Sequence, residues 1–201
     1  VLVVFIANLG RPALAEAEAL APILAMTPYE TRLALAVAQP TIVLTTTDRN
    51  RANDVLGVLR SRGHVAHVFD DETFVASEAM TKADDFTLEA SLQVFSKTVY
   101  REPVVYFFRR SGEKPWLLRE RHASYVGLGE ERTPIAFANF TRAIDRVRAN
   151  AAMAVYDDRL ARRRVAERIV DIGERSSRNG MDLLAHLLAM TIASQGGSPY
   201  R

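Results

Sequence analysis

The stretch from Pro103 to Gly129, PVVYFFRRSGEKPWLLRERHASYVGLG, constrains the fold most, because it holds the only Trp and much of the aromatic and arginine content. Val104, Tyr106 and Phe108 alternate with Val105, Phe107 and Arg109. Ser111-Gly112 supplies a turn, and Pro115 precedes a second run from Trp116 to His122. Alternation of period two on both sides of a turn predicts a β-hairpin, here running into a third strand. Half of the aromatic residues lie between Tyr100 and Phe140, so a core or a binding face is centred here. Tyr106, Phe108, Trp116 and Leu118 are expected to form one core face, with the arginines paired to Glu113 and Glu120 on the other. Thr133-Pro134 reads as an N-cap followed by Pro, and Ile135, Phe137, Phe140, Ile144 and Val147 make an apolar stripe that would cover the sheet.

The chain is 201 residues long and 48% hydrophobic, enough for one large domain or two small ones. It has no cysteine, which excludes disulfides and thiolate metal sites and suits a reducing compartment, so a cytoplasmic location is expected. The opening VLVVFIANLG has no basic residue before its apolar run and no small-residue cleavage pattern after it, and reads as a strand, not a signal peptide. Leu183 to Ala193 is too short to span a bilayer, which needs about 20 residues, so no membrane span is expected. The net charge of +2 conceals an acidic first half, 1–96, and a basic middle, 97–168; all but three of the 26 basic residues are Arg. That composition provides planar forks suited to carboxylates and phosphates.

From the first residue, a buried strand to Ala7 is followed by a helix opening at Gly10-Arg11-Pro12 and running to about Ala21, where Pro22 loosens or ends it. Thr27-Pro28-Tyr29-Glu30 is a capping box that starts a second helix. Gln39-Pro40 stops it, and Thr41 to Thr47 is β-branched and reads as a strand. Asp48 caps a third helix with Ala52, Val55, Leu56 and Leu59 inward, Gly63 ends it, and His64 to Phe69 returns as a strand. The acidic, aperiodic segment from Asp70 to Asp85 is the expected boundary. After Asn150 the chain becomes helical, first from Asp157-Asp158 with Leu160, Val165, Ile169 and Ile172 inward, then from Met181 to Ser194. The fold class is therefore α+β: a small α/β sandwich of order βααβαβ over 1–72, an antiparallel sheet covered by an amphipathic helix over 85–150, and a C-terminal helical pair over 157–201.

The features MTPYETRLALAVAQP and DRNRANDVLGVLRSRGHVAHV, in that element order, resemble the C-terminal domain of the bacterial ribosomal stalk protein. The resemblance covers residues 1–70 and implies a small module of a kind used for docking proteins. That family holds translation factors on a lysine-bearing helical face, whereas this stretch has no lysine before Lys82, so the factor partner is not carried over. Antiparallel strands closed by one amphipathic helix resemble the pleckstrin-homology-like architecture in element order. The whole chain also resembles an uncharacterised bacterial family, which supplies no function.

Chemistry-bearing patterns are few. His64 and His67 with Asp70, Asp71 and Glu72 have the composition of a metal cluster, but an offset of three along a strand puts the imidazoles on opposite faces, so no metal site is expected. His122 and His186 stand singly. Asp157-Asp158 is accounted for by capping. Gly127-Leu128-Gly129 lacks the third glycine and the strand-to-helix context of a dinucleotide loop, and the P-loop pattern is absent. No catalytic residue and no cofactor are expected. Two functions remain. The preferred one is a non-catalytic protein-protein interaction or scaffold protein, meeting another protein or a second copy through Leu183, Leu184, Leu187 and Leu188. The alternative is an anionic ligand, nucleic acid or another phosphate-bearing molecule, held by Arg109, Arg110, Lys114, Arg119 and Arg121.

Overall fold

A computed structural model describes residues 1–37, 39–84, 92–99, 103–109, 114–151, 154–162 and 177–194, with backbone alone at 92–99, 109, 162 and 177–179. Two compact units are formed, Val1–Phe74 with Ala166–Gly180, and Val75–Val165 with Met181–Arg201. The fold class is α+β.

In the first unit the order is β1 (Leu2–Asn8), α1 (Ala13–Leu24), α2 (Pro28–Leu35), β2 (Thr41–Thr46), α3 (Arg49–Ser61) and β3 (Val65–Asp70), the expected βααβαβ. The strands pair antiparallel in the order β2-β1-β3. Leu2, Val4 and Ile6 share a core with Leu20, Leu24, Leu35, Val55 and Leu59 from the helices. Val3, Phe5 and Ala7, on the other face of β1, are equally buried, which is why this strand reads as an unbroken apolar run. The helix starts are local chemistry. Thr27 Oγ1 accepts from the Glu30 N–H while Glu30 accepts from the Thr27 N–H at 2.8 Å, and Asp48 accepts from the N–H groups of Asn50 and Arg51. One boundary differs from expectation. α1 runs through Pro22 to Leu24, because Pro22 and Glu18 lie on the exposed side, where the carbonyl that Pro22 leaves unpaired faces solvent, and because Leu24 is drawn into the core.

The turn between α3 and β3 is fastened to α1 by a polar group of four. Glu16, 1% exposed, accepts from Arg62 Nε at 2.5 Å and Nη2 at 3.1 Å, and its Oε2 lies 3.2 Å from His64 Nε2. The Gly10 N–H donates to His64 Nδ1 at 3.1 Å, which fixes the tautomer: the ring proton sits on Nε2 and goes to Glu16. The Arg62 guanidinium holds the Glu16 carboxyl below the usual carboxylate range, outweighing the burial that pushes it up, and the His64 bond adds to the lowering. His64 thus serves this lock, while His67 packs its ring 5.5 Å from that of Phe5.

In the second unit β4 (Thr81–Lys82), β5 (Leu92–Val99), β6 (Pro103–Arg109), β7 (Trp116–Arg119) and β8 (Val155–Asp157) form one sheet in the order β4-β7-β6-β5-β8. Its centre is antiparallel, as expected, and both edges are parallel additions: β4 beside β7, β8 beside β5. The segment expected to be a boundary therefore gives the first unit a 3-10 turn, Asp71–Thr73, and the second unit another, Ser77–Ala79, with an edge strand. The third strand expected after His122 is a turn followed by a 3-10 segment, Val126–Glu131. Where a helix was expected from Asp157, the chain is a strand to Asp157 and then a 3-10 turn, Arg159–Arg162, because the Asp157 carboxylate folds onto the N–H and side chain of Arg159. The rest of that expected helix lies outside the described residues. The second member of the pair is α5 (Ser177–Ser194), which follows α4 (Ala136–Asn150) in helix order.

The hairpin register pairs Phe107 with Trp116 and Val105 with Leu118, so Trp116 and Leu118 share a face with Val105 and Phe107, not with Tyr106 and Phe108. Both faces are buried. α4 covers the first with Phe140, Ala143, Ile144 and Val147. Ile135 and Phe137, counted in that stripe from the sequence, are 63% and 62% exposed. α4 starts at Ala136, later than Thr133 suggests, because Asn139 reaches back to bond the Thr133 N–H and carbonyl and keeps residues 133–135 out of the helix. Among the described residues no helix is long and apolar enough to cross a membrane.

Candidate ligand pocket of the second unit

Two chain segments separated in sequence are brought together at the β4 edge. The Thr81 N–H donates to the Pro115 carbonyl at 3.1 Å and the Ala83 N–H to the Leu117 carbonyl at 3.0 Å, laying Lys82 beside β7. Asp84 then ties down the turn after β7, accepting from the Ser124 N–H at its carboxylate (3.1 Å) and from the Gly127 N–H at its carbonyl (3.0 Å). Tyr125, at the end of that turn, has φ +55°, a left-handed conformation that is uncommon for a bulky residue. It is held there because its ring is buried and its hydroxyl donates to the Glu120 carbonyl at 2.7 Å.

These segments line a partly open cavity of about 260 Å³. Lys82, Arg119 and His122 give it basic groups; Ser77, Glu78 and Asp84 give it oxygens; Met80, Leu117 and Ala123 give it an apolar surface. Of the five residues singled out from the sequence for an anion, Arg119 lines this cavity. Lys114 and Arg121 are exposed and are not part of its lining, and Arg110 and the Arg109 side chain lie outside the described residues. Lys82 escapes a sequence reading, since a two-residue parallel edge strand has no periodicity to read.

Behind Ser77 stands a buried polar cluster on α5. Asp182, 2% exposed, accepts from the Ser77 N–H at 2.7 Å and hydroxyl at 2.5 Å and from the Tyr106 hydroxyl at 2.6 Å. Burial first, and the Asp182 charge second, push the Tyr106 phenol above its usual range, so the hydroxyl remains a donor. One turn on, His186 Nε2 lies 3.0 Å from the Val75 carbonyl; a carbonyl only accepts, so this nitrogen carries the proton. Burial lowers the His186 pKa, and its ring meets Phe108 edge-on at 5.0 Å. The leucines expected to face a partner, Leu183, Leu184, Leu187 and Leu188, are each 5% exposed or less, so the chain itself covers them. Among the described residues no group of three His, Asp or Glu is placed to hold a metal ion.

No family model, curated protein or solved structure matches the chain. The cavity and the surface are what bear on function.

Proposed function

We propose that the chain is a non-catalytic binding protein whose second unit takes a small organic anion into the cavity beside β4 and β7. The observation that carries this reading is the presence of Lys82, Arg119 and His122 in the lining of one cavity together with the apolar Met80, Leu117 and Ala123. Arg119 supplies a planar fork for a carboxylate or phosphate, and Met80, Leu117 and Ala123 suit a hydrocarbon body. The walls are tied by backbone and side-chain bonds before any ligand enters, which limits the ordering cost of binding. Titration calorimetry at low salt with inorganic phosphate and with 4-methylpentanoate is the test. Saturable binding is expected for at least one of them, weakened about tenfold or more by Arg119→Gln, as for loss of one charge-assisted contact. Absence of saturable binding, or binding unchanged in Arg119→Gln, overturns the reading.

Protein-protein interaction is a second reading. Its support is the exposure of Ile135 and Phe137 at the start of α4, together with the resemblance of the first unit to a docking module. On this reading the chain self-associates, and Phe137→Asp shifts light-scattering mass towards the monomer. A particle that stays monomeric as concentration rises removes it.

A further inference from the structure

Resting on the anion reading of the cavity, we infer that its occupant is a small zwitterion, an α-amino acid with an aliphatic side chain, with its carboxylate met by Arg119 and Lys82 and its ammonium by Glu78 and Asp84. The formal charges of the lining argue for this. Lys82 and Arg119 are joined in the lining by Glu78 and Asp84, so the cavity that attracts an anion also offers negative charge to a second group of the same ligand. A ligand with both signs is complementary to both.

Ser77 gives an independent indication. Its hydroxyl hydrogen is committed to Asp182 Oδ1 at 2.5 Å, so Ser77 brings no hydroxyl donor that would compete with an ammonium group. Asp84 spends one carboxylate oxygen on the Ser124 N–H, and a carboxylate retains further acceptor sites. Glu78 and Asp84 are acceptors, a pair suited to the donors of an ammonium group. The volume of about 260 Å³ is too small for a drug-sized ligand and suits a metabolite of amino-acid size. The apolar contribution of Met80, Leu117 and Ala123 favours an aliphatic over a charged side chain.

L-Leucine and 4-methylpentanoate differ only by the α-ammonium group, which makes them a direct comparison. By calorimetry at neutral pH, L-leucine is expected to bind about tenfold or more tightly than 4-methylpentanoate. Glu78→Gln and Asp84→Asn should erase that preference, the affinities for the two ligands converging; the amide at position 84 retains an acceptor for the Ser124 N–H. Equal affinities for the two ligands, or a preference that survives both variants, overturns the zwitterion while leaving the anion site standing. Failure of L-leucine, 4-methylpentanoate and inorganic phosphate alike overturns both.

Discussion

Gly10→Ala is expected to lower the stability of the first unit by about 2–5 kcal/mol, a large effect for one methyl group. A Cβ on Gly10 would lie 2.0 Å from the Gly63 carbonyl oxygen and 2.6 Å from its carbon, and both are backbone atoms that no rotamer change can move. The loop before α1 must then retreat from the α3–β3 turn. Retreat withdraws the Gly10 N–H from His64 Nδ1 and leaves a buried acceptor unsatisfied, while the His64 and Arg62 contacts to Glu16 are disturbed. Gly57→Ala is the internal comparison. Gly57 lies on the exposed side of α3, and a methyl group added there meets nothing within 4 Å, so the change should stabilise by about 0.5–1 kcal/mol through helix propensity. Urea unfolding of the two variants measures both. Equal midpoints would show that Gly10 and Gly63 are not packed against one another.

The features legible in the sequence are those whose cause is local. The Thr27–Glu30 box, the Asp48 cap and the helix stop at Gly63 each need only neighbouring residues, and each stands where the pattern puts it. The features that escape depend on distant partners. Nothing near Lys82 announces that it pairs beside Leu117, and the face that Trp116 occupies depends on a hairpin register that alternation alone does not fix. Thr133 reads as a cap, but Asn139 competes for its backbone groups. A usable signal is present at the two buried carboxylates. Glu16 falls at i, i+4, i+8 spacing with Leu20 and Leu24, on the apolar stripe of α1, and Asp182 sits beside Leu183 and Leu184 in a helix that is apolar nearly all round. A carboxylate inside an apolar stripe must be met by donors from elsewhere. That rule identifies the acceptor without naming its partners, Arg62 and His64 in one case and Ser77 and Tyr106 in the other.

Asp182 gives the second large effect, and the chemistry of its substitutions separates its role from simple packing. Asp182→Ala leaves the Ser77 N–H, the Ser77 hydroxyl and the buried Tyr106 hydroxyl without their acceptor, at a cost of about 3–5 kcal/mol to the second unit. Asp182→Asn has nearly the same shape yet should also destabilise. Oδ1 accepts two hydroxyls and Oδ2 accepts an N–H, so one orientation of the amide sets its NH₂ against the Ser77 N–H, and the other makes both hydroxyls accept and leaves their own hydrogens without this acceptor. Tyr106→Phe removes one donor and leaves the carboxylate two others, so its cost should be smaller, about 1 kcal/mol. Denaturant unfolding of the three variants, read with near-ultraviolet circular dichroism, tests the order Ala, then Asn, then Phe. If Asp182→Asn proves as stable as the parent chain, the three bonds do not act together. The same series bears on the cavity, because Ser77 is held by Asp182: with the acceptor gone, its hydroxyl is released to donate elsewhere, and any preference of the cavity for an ammonium group should weaken with it.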